Sequence, residues 1–160
     1  MPDRPIPEPT DPELAKAALQ KHMTAALDGC DYEYNGDRTI LLKMKAVDPQ
    51  GETEDYLVQM KFLYYPDWPP CVSFLNPETR SYDGTHWPAL ADSPKMGIHP
   101  ACEGAPAGMV CNSMTFEYYF WGGHNPGDGI TWKKGVHTFA ATIAELTDHL
   151  GPRHYIGRAT

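Results

Sequence analysis

A chain of 160 residues suffices for one compact domain, because at this size folding buries roughly 70% of the unfolded surface and two complete cores would be cramped. With 41% apolar and 21% charged residues it is expected to be globular rather than disordered, and its 16 prolines and 14 glycines imply many turns. Thirteen Lys and Arg against 21 Asp and Glu leave a net charge of -8 without a basic stripe, which argues against nucleic acid as a partner; no apolar run approaches the roughly 18 residues of a membrane span.

Pro2, Pro5, Pro7 and Pro9 give residues 1–10 the composition of a flexible, extended tail, and residues 11–160 are expected to form a single α+β domain. Asp11-Pro12-Glu13 has the form of an N-cap, a first-position proline and a first-turn acid. The stripe Ala15, Leu19, Met23 and Ala26 then predicts a helix over 12–28, stopped at Gly29. His22 reads as a packing or surface histidine, since no partner lies one turn away.

Period-two alternation at Ile40, Leu42, Met44 and Ala46, with Lys43 and Lys45 between them, predicts a half-buried strand. Asp48-Pro49-Gln50-Gly51 supplies a turn, and Tyr56, Val58, Met60, Phe62 and Tyr64 predict the strand that pairs back. Cys71 to Leu75, after Pro66, Pro69 and Pro70, reads as a third strand of an antiparallel meander. From Asn76 to Gly108 no periodicity persists, so a long loop is expected, followed by a short fourth strand within Met109 to Met114. The aromatic run Phe116, Tyr118, Tyr119, Phe120 and Trp121 reads as a packed wall, and Gly122 to Gly129 as a turned insertion. Val136, Phe139, Ala140, Ile143, Leu146 and Leu150 predict a C-terminal helix ended by Gly151-Pro152.

Tyr65-Pro66-x-x-Pro69-Pro70-x-Val72-x-Phe74, then His99-Pro100, Gly108-Met109-Val110-Cys111, Trp132 and a long helix follow one another in an order that resembles the ubiquitin-conjugating (E2) enzymes. The likeness spans about 12–150, and the enlarged stretches before His99 and after Cys111 resemble those of divergent bacterial E2-like proteins, which are encoded with an E1-like activating enzyme, a ubiquitin-like protein and a metallopeptidase. The resemblance implies a UBC-like fold. It also implies a cytoplasmic carrier whose Cys111 accepts the carboxyl terminus of a ubiquitin-like protein from an E1 and passes it to an amine of a target protein. Neither an export signal nor a regular disulfide spacing accompanies Cys30, Cys71, Cys102 and Cys111, in keeping with reduced thiols in a cytoplasm.

The chemistry implied is covalent acyl transfer, which needs an accessible thiolate more than a strong base. The family's His-Pro-Asn asparagine is missing, because Ala101-Cys102 follows His99-Pro100. His99 is a candidate base, and Asn112 a candidate donor to the oxyanion. Ser113 is an alternative hydroxyl nucleophile if it shares the face of Cys111, with His99 or His124 as its base. No cofactor is expected. A rival reading is a binding module stapled by zinc on His99, Cys102, Cys111 and His124, and another is a catalytically inactive scaffold. Cys30 and Cys71 read as packing residues, Lys133 and Lys134 as solvated. The exposed face of the first helix, with Glu13, Lys16, Gln20 and Lys21, is where the resemblance implies an E1 would dock.

Overall fold

The computed structural model describes residues 5–91, 95–99, 108–120 and 131–159. Thr10 N–H donates to the Leu63 carbonyl at 2.9 Å, and the Asp11 carboxylate accepts from Leu14 N–H at 3.2 Å. Pro12 occupies a first-turn position whose N–H would have had no helical partner. Helix α1 therefore starts cleanly and runs Pro12–Ala26, burying Ala15, Leu19 and Ala26 of the predicted stripe. Gly29, at φ +74°, turns the chain back.

Four strands then pair antiparallel in chain order: β1 Asp31–Tyr34, β2 Thr39–Val47, β3 Thr53–Lys61 and β4 Cys71–Leu75. The last three correspond to the expected meander. Hydrophobic alternation misses β1, because its sequence Asp-Tyr-Glu-Tyr lies at the sheet edge and is largely exposed. The expected long loop after β4 contains two short strands, β5 Pro88–Leu90 and β6 Gly97–His99. Strand β7 is Met109–Cys111 and ends three residues before the expected limit at Met114. The main sheet has the order β1-β2-β3-β4-β7-β6.

The aromatic run begins a short helix, α2 Phe116–Phe120, with Phe116, Tyr118 and Phe120 buried, so it does form a packed wall. The Phe116 ring stacks on Tyr64 at 4.1 Å and on Phe120 at 4.4 Å. Trp121 and residues 122–130 lie outside the described residues. Helix α3, Phe139–His149, begins where Thr138 Oγ1 accepts from Ala140 N–H at 3.3 Å. Val136, expected in the apolar stripe, precedes the helix and is 70% exposed. Strand β8, Tyr155–Arg158, follows α3 and pairs with β5 in a second, two-stranded sheet. The chain is thus α+β, with three helices and a six-stranded, mostly antiparallel sheet among the described residues.

One sheet face carries Ile40, Leu42, Val58, Met60, Val72, Phe74 and Val110 into a core shared with Leu19, Phe139, Ile143 and Leu146 of the helices. Tyr65 joins these layers. Its hydroxyl accepts from Phe139 N–H at 3.1 Å and lies 2.7 Å from His22 Nδ1. The hydroxyl proton needs an acceptor, so it goes to Nδ1 of a neutral His22. Desolvation and the adjacent Lys21 lower the His22 pKa and favour that neutral form. Trp132 packs near Tyr65, and its Nε1–H donates to the Pro66 carbonyl at 3.1 Å. The Tyr65-Pro66 motif is therefore a structural joint between sheet and helices.

Candidate active site

The β6–β7 hairpin brings the two chief candidates together. Its antiparallel register sets Gly97 opposite Cys111, Ile98 opposite Val110 and His99 opposite Met109. Directly opposed residues, and residues two apart on one strand, share a sheet face. Val110 and Ile98 turn towards the core, which leaves Gly97, His99, Met109 and Cys111 on the other face. The His99 ring leans back along its strand, so that a Cβ on Gly97 would lie 2.8 Å from His99 Nε2. The imidazole thus fills the space above Gly97, the residue facing Cys111. Cys111 itself is buried, at 1% exposure.

A second glycine is needed where the hairpin rejoins β4. Gly108, at φ +80°, donates its N–H to the His99 carbonyl at 2.9 Å, and its carbonyl accepts from Phe74 N–H at 2.9 Å. A Cβ there would lie 2.7 Å from the Phe74 carbonyl oxygen. The Gly-x-Val-Cys motif is consistent with this close approach.

The chain after Cys111 is held on several sides. Asn112 Oδ1 accepts from Met114 N–H at 2.8 Å, while its Nδ2 donates to the Lys95 carbonyl at 2.6 Å. Its carboxamide is thereby engaged by backbone at both ends, a structural use for the expected oxyanion donor. Thr115 Oγ1 accepts from Asn112 N–H at 3.1 Å and donates to the Val110 carbonyl at 2.8 Å. Thr142 Oγ1, on α3, donates to the Met114 carbonyl at 2.8 Å. Tyr119 O–H donates to the Ser113 carbonyl at 2.7 Å and accepts from Trp132 N–H at 2.7 Å. Ser113 is fully buried in this turn. Because β7 stops at Cys111, strand alternation does not extend to Ser113, so the shared face expected for the two nucleophile candidates is not established.

Glu117 is the buried group that the sequence reading missed. Its Oε1 accepts from Val72 N–H at 2.7 Å, continuing the edge of β4 where its pairing with β7 stops, and Phe116 N–H continues it onto the Pro70 carbonyl at 3.0 Å. Glu117 Oε2 is buried without a hydrogen-bond partner. Desolvation pushes the carboxyl up to about 8, against smaller lowering effects of the hydrogen bonds from its own backbone and Val72. Desolvation, and then the charge of Glu117, also raise the Cys71 thiol well above its ordinary value. That agrees with a packing role for Cys71. The half-buried Cys30 thiol is likewise raised, by desolvation and Asp28.

Of the zinc alternative, His99 and Cys111 share one face of the hairpin, whereas Cys102 and His124 lie outside the described residues. Among the described residues, the metal-ligand types that gather elsewhere are Asp148, His149 and His154, with ligand atoms within 4.8 Å of one another. The two rings stack at 4.5 Å and 18°, and His149 Nδ1 donates to the Glu145 carbonyl at 2.9 Å. Stacked imidazoles direct their in-plane lone pairs along parallel planes, so these rings are not aimed at a common ion. Lys133 and Lys134 are exposed as expected, with Lys134 Nζ 2.7 Å from Asp67.

Among known proteins, no family model, curated protein or solved structure matches the chain.

Proposed function

We propose that the chain is an E2-like carrier with a UBC-like fold. Cys111 would accept the carboxyl terminus of a ubiquitin-like protein from an E1-like activating enzyme as a thioester, then yield it to a target amine in the cytoplasm. The observation that supports this reading most is the order of elements: helix, four-stranded meander with the Tyr65-Pro66 joint before its last strand, cysteine hairpin, Trp132 and helix. That order is the one implied by the sequence resemblance. Transthiolation exchanges one thioester for another and is nearly isoenergetic, so such a carrier needs a positioned thiol rather than a large catalytic apparatus.

Burial of Cys111 favours a second reading, a catalytically silent scaffold of the same fold, because an enclosed thiol has to become accessible before it can react. Charging separates the two. With an E1-like enzyme, ATP and the ubiquitin-like protein that this E1 activates, the carrier should form an adduct that thiol reductants remove. Cys111→Ala should abolish that adduct, and Cys71→Ser should retain it. No adduct with an E1 shown to activate its ubiquitin-like protein would leave the scaffold; an adduct lost in Ser113→Ala but kept in Cys111→Ala would move the nucleophile.

A further inference from the structure

We infer that His99 is the proton acceptor for Cys111, and that Gly97 is the clearance that lets its ring stand beside the thiol. This rests on the reading of Cys111 as a nucleophile. Three facts converge: Cys111 opposes Gly97 across the hairpin, His99 shares their face, and His99 Nε2 occupies the volume that any larger residue at 97 would fill. Cys111 and His99 are diagonal neighbours, about 7–8 Å apart across an antiparallel pair, a separation that a ring inclined along its strand towards Gly97 shortens. A histidine beside a cysteine lowers the thiol pKa by stabilising the thiolate.

Among the described residues, the elements adjoining this face carry Lys61 of β3, Cys71 of β4, Glu117, Tyr118 and Tyr119 of α2, and Lys95 just before β6. Desolvation disfavours the charged forms of Cys71 and Glu117, so neither serves as the acceptor. Among the described residues, His99 is the imidazole that shares the face of the thiol. During charging, the Cys111 proton passes to His99 Nε2 and sulfur adds to the carbonyl carbon of the incoming thioester. Collapse of the tetrahedral oxyanion breaks the donor C–S bond, and the departing thiolate takes the proton from the imidazolium. During discharge an acceptor amine adds to the same carbon. The Cys111 C–S bond breaks, and the proton lost by nitrogen returns to sulfur through His99. One acyl group moves at each stage, with no redox change.

The test reads the thiol without its partners. Alkylation of Cys111 in the folded chain by iodoacetamide, located by peptide mass mapping between pH 5 and 9, should show an inflection below the ordinary thiol value of about 8.5. His99→Gln should return the inflection to that value and slow Cys111 alkylation near pH 6.5 by about tenfold. Gly97→Ala keeps both reacting groups but intrudes on the ring, and should move the profile the same way. It also serves should His99→Gln fail to fold. Glu117→Gln should leave the inflection in place. Identical profiles for wild type and both hairpin variants, a Cys111 that is inert in the native protein, or an equal shift in Glu117→Gln would each overturn the pairing. A His99-dependent profile without any E1-dependent adduct would keep the pairing and remove the carrier reading. An adduct with a His99-independent profile would do the reverse.

Discussion

Glu117 stands where a strand would otherwise have continued. β7 pairs with β4 at Ser73–Met109 and then leaves it, and the carboxyl oxygen of Glu117 takes the Val72 N–H at 2.7 Å. The cost is a carboxyl in surroundings that disfavour its charge, with its pKa raised from 4.5 to about 8. The native state therefore keeps a proton that the unfolded chain releases above its ordinary value. Stability from this group is full at acid pH and is lost as pH climbs from about 4.5 towards 8. By pH 7 the loss is on the order of 3 kcal/mol. Glu117→Gln cannot ionise, so urea unfolding measured from pH 5 to 8 should lose most of this slope whatever the absolute stability. An undiminished slope would assign the pH dependence to another group.

At the scale of elements, α1 is fixed by its cap and its buried stripe, and it leaves Glu13, Gln20 and Lys21 exposed with Lys16 half-buried. Under the carrier reading this face meets the E1. Charge reversal at Lys16 and Lys21 alters the exposed rim rather than the core, and rim charges act chiefly on association rate. The double variant should charge about three- to tenfold more slowly at limiting E1 and normally at saturating E1, with an unchanged melting temperature. Unchanged charging at limiting E1 would place the docking surface elsewhere. The β6–β7 hairpin is a different kind of element, since three residues on each strand contribute little by themselves. Its position comes from Gly108 against β4, Asn112 on the Lys95 carbonyl and Thr142 on the Met114 carbonyl.

Across the whole molecule, the residues after α3 return to the main sheet. Tyr155 of β8 meets Tyr56 of β3 through a hydroxyl pair at 2.7 Å, both side chains being buried. His86 packs on the Tyr56 ring at 5.1 Å. Removing one hydroxyl leaves the other buried and short of a partner, which costs about 1–3 kcal/mol. Tyr56→Phe and Tyr155→Phe should each destabilise by that amount, while the double variant should lose clearly less than the sum of the two in chemical denaturation. Additive losses would show that the hydroxyls are not coupled.

The sequence by itself determined α1, β2, β3, β4 and α3, because each carries either a cap or enough apolar residues for a period to show. It also singled out Cys111 and His99 by motif, and Tyr65-Pro66 and Trp132 by their place in the order. Four short strands escaped it. β1 is polar at an edge, β5 and β6 have three residues each, and β8 has an exposed isoleucine and a glycine in four positions. Runs so brief hold too few side chains for alternation to register, and long-range pairing fixes their conformation instead. For the same reason no local signal marked Gly97: its importance lies in facing Cys111 while His99 leans over it, a relation created by the hairpin register. Glu117 was equally silent, since a glutamate in an aromatic run becomes a buried backbone acceptor only when β7 leaves the edge of β4 open. Local periodicity is written in neighbouring residues, whereas desolvation and cross-strand contact depend on what the folded chain brings from afar.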